Sequence, residues 1–249
     1  MPTAVQQPSR SDAAPRTASA SGWPETTIWV TATVLTLVSI LFMLVLLRQR
    51  DGAHPWARLD VYSVGFLTVT GLAGIVQATT FLRSALRSDA GAGEAFGLSY
   101  DPGVLLFGLI TEPLKFAVVL DYGHWHLVPA LEQPALQTLG LVFAALGSVG
   151  LIWTDRWLSR HFASGAAAGQ LMTDGPYRFV RHPRYASFLL IGLGAPLAFA
   201  SILGWPLLLV MLVAIRHRIE REEPHLRELF GTAYDAYASR TARLLPGVY

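Results

Sequence analysis

Apolar segments recur along this chain at bilayer length. A helix needs about 20 residues to cross the hydrocarbon of a membrane. Thr27 to Leu47 meets this without a charge, and Val61 to Leu82 meets it again with Gly65, Gly71 and Gly74 offering small faces for close helix packing. Val104 to Leu120 is shorter and carries Glu112, Pro113 and Lys115, and Pro134 to Trp153 is a clean fourth, with Gly140, Gly147 and Gly150 near one face. The run Tyr185 to Ile215 extends over about 31 residues and is broken by Gly192, Gly194, Pro196, Gly204 and Pro206. As one helix it would overshoot the bilayer at about 1.5 Å per residue, so it is expected to fold as a tight, shallow hairpin.

Composition agrees. Of 249 residues 52% are hydrophobic and 14% charged, with a mean hydropathy of +0.41, which is too apolar for an ordinary soluble domain. Residues 1–25, rich in Ala, Ser, Pro, Gln and Thr, form a polar tail expected to stay disordered. The first apolar run follows it without a small-residue cleavage pattern and is expected to remain as an anchor. Cysteine is absent, which excludes disulfides, thiolate metal sites, a nucleophilic Cys and Cys lipidation. Asparagine is absent too, so there is no N-glycosylation acceptor. The pI near 9.1 is an arginine effect, since Lys115 is the single lysine. These arginines flank apolar segments, a pattern of membrane borders that speaks against a nucleic-acid partner.

The fold class expected is therefore all-α, a polytopic membrane bundle of about six spans, the last two a short hairpin, followed by an amphipathic C-terminal helix from Arg216 on. With both termini cytoplasmic, fifteen Lys and Arg residues of the tail and connections lie inside, against Arg48, Arg50 and Arg58 outside. Three regions follow: the tail 1–25, N-terminal membrane helices 26–120, and a core 121–249. Glu112 and Lys115, three apart inside a span, read as an ion pair or a functional pair. Asp121, His124, Trp125 and His126 read as belt and loop residues.

The polar stretch before the hairpin and the charged one after it lie on the same side of the membrane. Tyr177, Arg178, Arg181, His182, Arg184 and Tyr185 can thus face Arg216, Arg218, Glu220, Arg221, Glu222 and Glu223 across the mouth of the bundle. Such a site suits a ligand carrying both charges.

The segment Gly175-Pro-Tyr-Arg-Phe-Val-Arg-His-Pro-Arg-Tyr185, then an apolar hairpin, then Arg218-Ile-Glu-Arg-Glu-Glu223, Leu226, Phe230-Gly231, Tyr234, Tyr237 and Leu245-Pro246, resembles the isoprenylcysteine carboxyl methyltransferase family and its phospholipid methyltransferase relatives. The likeness covers Asp121 to Tyr249. It implies a membrane methyltransferase using S-adenosylmethionine. Carried onto the matching positions, the cofactor contacts are Gly169, Gln170, Leu171, Met172, Tyr177, His182, Pro183, Arg184, Tyr185 and Glu222, and Arg218 is the catalytic, substrate-side residue. The chain departs from the family in having Gly169 where His or Arg is frequent, and Ser187 where Gly follows the run.

The chemistry of these residues suits that cofactor. Glu222 can take its ammonium or ribose hydroxyls, His182 and Arg181 its carboxylate, and Tyr177 and Tyr185 can wall the adenine or the sulfonium. Arg218, one turn before Glu222, can pair with that Glu or hold an anionic acceptor. No Gly-x-Gly-x-x-Gly turn follows a strand, so a Rossmann-type site is not on offer.

Plainer readings stand beside these. The arginines can mark the cytoplasmic side, the tyrosines can anchor at the interface, and Glu220, Glu222 and Glu223 can form a solvated face with pairs such as Glu223 with Arg227. The acceptor expected is lipophilic or prenylated and reaches the site from the lipid bilayer. A phospholipid amine, an isoprenoid acid or a small thiol are alternatives, since the scarcity of Lys and Asn suits a GC-rich bacterial genome and hence a bacterial plasma membrane. A non-catalytic scaffold and a nicotinamide-dependent reductase are rival classes, and oligomeric state is not legible.

Overall fold

The computed structural model describes residues 60–86, 114–163 and 170–247, together with Leu41. The expected tail, the first span, Glu112 and Gly169 lie outside the described residues. Everything described is helical or irregular, with a single isolated β-bridge between Val180 and Ala242 and no strand among the described residues. The chain is therefore all-α.

Helix α1 (Val61–Leu86) begins at Asp60, whose carboxylate accepts hydrogen bonds from the backbone N–H groups of Tyr62 (3.0 Å) and Ser63 (2.9 Å), satisfying donors that a helix start leaves open. Helix α2 (Pro134–Ala163) starts on a proline, where the missing N–H costs nothing. It continues ten residues beyond Trp153, where the apolar run ends, because no breaker intervenes. Asp155 is buried there and pairs with Arg184 at 3.4 Å. Helices α3 (Pro183–Ala198) and α4 (Gly204–Phe230) form the expected hairpin, with a turn at Phe199–Leu203.

The amphipathic segment from Arg216 differs from expectation. It is the second half of α4, because nothing in sequence interrupts the helix between Ile215 and Glu223, and even Pro224 is absorbed. The break falls at Gly231, whose φ of 53° opens the left-handed region and starts the short α5 (Thr232–Ala238).

Among the described residues one helical stretch, Pro134–His161, is long and apolar enough to cross a membrane, with a mean hydropathy of 1.9. Its outer face carries Leu139, Val142, Leu146, Val149 and Trp153, all exposed and spaced three or four apart. A continuous apolar stripe of this kind is stable facing lipid rather than water.

The inner face of α2 is made for close approach. A Cβ on Gly140 would stand 2.3 Å from the Ala198 backbone N, and one on Gly147 would stand 2.6 Å from the Ser187 carbonyl O of α3. The two backbones touch, as the small-residue face of α2 predicts. In α1, Gly65 packs on Leu141, whereas nothing described lies within 4 Å of a Cβ on Gly74. Phe66, Val119, Tyr122, Ala144, Phe199 and Leu207 fill the core between α1, α2 and the hairpin turn.

At the end of the bundle away from the charged stretches, residues 114–120 run into a π-helical turn, Asp121–Trp125. Asp121 is buried, contrary to its reading as a loop residue. Its carboxylate accepts from Ser201 Oγ at 2.6 Å and from the Leu127 N–H at 2.9 Å, which ties the turn to the hairpin. Tyr122 Oη bonds Asp60, and His126 pairs with Glu132 at 2.5 Å. Trp125 is exposed, as an interface residue would be.

Candidate active site

The segment between α2 and α3 turns at Gly175, whose φ of 59° is left-handed. A Cβ there would stand 2.2 Å from Trp157 Nε1, so only glycine lets the turn seat on the end of α2. Pro176 is buried just after it, and Tyr177 packs on Trp157 with ring centroids 5.5 Å apart, beside the Trp157–His161 stack at 3.7 Å. The Tyr177 carbonyl accepts a 2.7 Å hydrogen bond from Tyr237 Oη of α5. Burial pushes the Tyr177 phenol up to about 12. The Arg184 cation opposes that rise, and the Asp155 and Glu222 carboxylates add to it. Tyr177 is thus a neutral ring and donor at any physiological pH.

The chain then passes through His182, whose φ of −124° and ψ of 64° lie outside the helical region that a following proline disfavours, to Pro183, the first residue of α3. Two backbone bonds hold it: Arg181 N–H donates to the Ala242 carbonyl (2.8 Å) and His182 N–H to the Arg243 carbonyl (3.0 Å). The C-terminal segment, remote in sequence, therefore sets the position of His182.

Three side chains meet where α3 begins and α4 leaves its apolar half. Tyr185 Oη donates to Glu222 Oε1 at 2.6 Å, and Arg218 Nε donates to Glu222 Oε1 at 2.9 Å and to Tyr185 Oη at 2.7 Å. Ile215, Ile219 and Leu244, packed on Tyr185, Phe188 and Leu189, form the apolar floor beneath them. His182 stacks on the Tyr185 ring at 5.7 Å. Its Nδ1 lies 3.8 Å from Glu222 Oε2 and its Nε2 lies 3.5 Å from Glu223 Oε1, so it stands between two carboxylates.

Glu223 is the hub of a second cluster. Its carboxylate is 2% exposed and engages Arg181 Nη1 at 3.0 Å and Arg243 Nη2 at 2.9 Å. Burial alone would raise its pKa. The contacts from His182 and Arg243 and the charge of Arg181 outweigh that and hold the carboxyl down at about 2. The expected Glu223–Arg227 pair does not form: Arg227 pairs with Asp235 at 3.1 Å, because Glu223 points into the bundle rather than to solvent.

Of the residues singled out from sequence, Tyr185, Arg218, Glu222 and His182 come together. Pro183 and Arg184 flank them at the start of α3, Arg184 turned toward Asp155. Tyr177 sits behind on Trp157. Gln170 is exposed and Leu171 and Met172 are half-buried in the extended stretch before the turn. Arg181, expected to meet a ligand carboxylate, is engaged with Glu223. Arg243 and Asp155 were not among the candidates, and no local pattern marks them. Each matters through a partner at least twenty residues away.

The described residues form an all-helical bundle of membrane type whose polar site is built from helix ends, with no sheet among them. Comparison with known proteins narrows the class. The phospholipid methyltransferase family matches residues 135–233. The protein-S-isoprenylcysteine O-methyltransferase of Schizosaccharomyces pombe is 31% identical over 207 residues, covering 74% of this chain and 84% of that protein. The chain belongs to the isoprenylcysteine carboxyl methyltransferase family, whose members are integral membrane proteins. It is also 31% identical to the nickel-cobalt-cadmium resistance protein NccN of Alcaligenes xylosoxydans xylosoxydans, over 57% of this chain and 63% of that relative's length. To methanethiol S-methyltransferase 1 of Bradyrhizobium diazoefficiens it is 26% identical, over 53% of this chain and 51% of that protein.

Proposed function

We propose that this chain is a membrane-embedded methyltransferase that moves a methyl group from S-adenosylmethionine to a lipophilic acceptor at the mouth formed by α3 and α4. The observation that carries this reading is the Tyr185–Arg218–Glu222 triad with His182 beside it, in a chain of this family. The donor set suits the group: a carboxylate, two aromatic faces and cations lie within one small region. S-adenosylmethionine supplies, when bound, a methyl made electrophilic by its sulfonium.

In this reading Glu222, one third exposed, receives an ammonium or ribose hydroxyls, and the Tyr185 and His182 rings wall the pocket. Tyr177, Pro183, Arg184 and the stretch Gly169, Gln170, Leu171 and Met172 complete the cofactor side. Arg218 orients Glu222 and brings its positive charge to an anionic acceptor, which makes it the catalytic and substrate-binding residue in this reading. Holding acceptor and methyl in line, with water excluded by the apolar floor, supplies most of the acceleration, since methyl transfer asks for little covalent help.

The rest of the proposal concerns setting. Six spans carry the core 121–249 with its mouth facing the cytoplasm of a bacterial plasma membrane, behind the N-terminal helices 26–120 and the tail 1–25. The acceptor is an isoprenylcysteine-like carboxylate, reached from the bilayer. The methanethiol S-methyltransferase relative supports a thiol acceptor as the second reading. The test is incubation with methyl-labelled S-adenosylmethionine and a lipid plus small-molecule extract, followed by identification of the labelled product. If calorimetry of the purified protein detects neither S-adenosylmethionine nor S-adenosylhomocysteine binding, and Glu222→Ala changes nothing, the scaffold reading replaces this one.

A further inference from the structure

Three consecutive residues after α5 reach the candidate site from behind, and the methyl-transfer reading uses neither Ala242 nor Arg243 among them. The Ala242 carbonyl accepts from the Arg181 N–H, the Arg243 carbonyl accepts from the His182 N–H, and Leu244 lies in the apolar floor with Tyr185. Arg243 holds His182 a second time, through its side chain. Its Nε donates to both carboxylate oxygens of Glu223 at 3.2 Å and its Nη2 donates to Oε2 at 2.9 Å, a fork that fixes a carboxylate in direction as well as in place. So fixed, Glu223 sets its Oε1 3.5 Å from His182 Nε2, while the other ring nitrogen, Nδ1, stands 3.8 Å from Glu222 Oε2. An imidazole is oriented by what its far nitrogen meets. Arg181 Nη1 lies 3.0 Å from the same Oε1, so a Glu223 released by Arg243 can turn onto Arg181 and away from His182.

We propose that Arg243 is a positioning residue for the methyl donor: without touching the donor, its guanidinium holds Glu223 so that His182 keeps its ring beside Glu222. Arg243 thus acts through two residues in turn, one of them buried at 2% exposure. The inference rests on the methyl-transfer reading and extends the donor site to the segment after α5.

The test uses the full chain in a neutral detergent, with S-adenosylhomocysteine as the probe and calorimetry reading its Kd and the number of sites filled per chain. Arg243→Gln weakens binding by about tenfold or more with the number of sites unchanged. Arg243→Lys, which keeps the charge without the fork, falls between the two, and it carries the comparison if Arg243→Gln does not fold. A merely structural role gives another signature, fewer sites filled at the parent Kd, because an unfolded fraction binds nothing. His182→Asn also weakens binding, and adding Arg243→Gln to it costs less than about a further twofold, since the route through His182 is already cut. Arg240→Gln, which removes an exposed neighbouring charge, binds like the parent. The inference is overturned if Arg243→Gln keeps the parent Kd, if its full effect persists in the His182→Asn background, or if Arg240→Gln weakens binding equally. Each of those results leaves methyl transfer standing, whereas a parent that binds no S-adenosylhomocysteine removes that reading and this inference together.

Discussion

Arg218 and Glu222 stand one turn apart on α4, and their side chains close to 2.9 Å with the Tyr185 hydroxyl wedged against both. The pair is three-quarters and two-thirds buried, so it is more than a solvated i to i+4 contact. Glu222→Ala removes the acceptor that both neighbours share and should lower kcat/KM for methyl transfer by about a hundredfold or more. Tyr185→Phe keeps the ring, loses both hydrogen bonds of the hydroxyl while the Arg218–Glu222 pair remains, and should cost about tenfold. Initial rates against S-adenosylmethionine concentration separate the two, and equal rates for both variants and the parent would remove the triad from the mechanism.

Glu223 behaves differently although it is the next residue. Glu223→Ala leaves Arg181 and Arg243 facing each other without their carboxylate, and breaking a buried ion cluster by removing one partner costs about 3–5 kcal/mol. The loss should appear as a lower thermal midpoint in detergent, with or without cofactor. Glu222→Ala, which removes a carboxylate that is one third exposed, should lower the midpoint by less than Glu223→Ala does.

The same carboxylate makes stability depend on acid. Its folded pKa is held down at about 2, below the 4.5 of an unperturbed Glu. Between those values the unfolded chain binds the proton more readily, so stability present above pH 4.5 is lost as pH falls toward 2. Thermal midpoints across that window should decline in the parent and decline less steeply in Glu223→Gln.

Helix α2 touches α3 through backbone at Gly140. Gly140→Ala drives a Cβ to within 2.3 Å of the Ala198 N and should destabilise by about 1–3 kcal/mol through forced separation of the helices. Gly74→Ala, with nothing described near its Cβ, should be neutral or slightly stabilising, since alanine favours the helix. Paired melts of the two variants check the contrast.

The absence of cysteine makes topology directly measurable. Leu127 and Ser239 are both exposed and sit at opposite ends of the bundle. A membrane-impermeant maleimide should label Leu127→Cys in intact cells and Ser239→Cys after the cells are opened. The reverse pattern would invert the proposed orientation.

The hairpin could be read from sequence because its causes are local. A 31-residue apolar run with Gly and Pro in the middle cannot cross once, and it turns at 199–203. Arg218 and Glu222 meet through helical spacing alone, and the motif before the hairpin marked His182 and Tyr185. The glycine face of α2 likewise marked a close helix contact, while its partner, the Ser187 to Ala198 side of α3, came only with the structure. The extent of α4 was less legible, since charge beyond Ile215 suggested a separate surface helix while only Gly231 supplies a break.

What the tertiary structure decided is what lies between remote segments. Whether Glu223 faces solvent or the interior depends on Arg243, twenty residues on, and on Arg181, forty-two residues back, and helix phase cannot foretell either contact. Asp155 reads as the start of a polar loop until Arg184 is seen across from it. Asp121 reads as an interface residue until Ser201 closes on it. Periodicity and spacing encode which face of an element is apolar and which residues share a turn. The partner of a buried charge is settled only when elements pack, because that charge is tolerated inside solely by virtue of the partner it finds there.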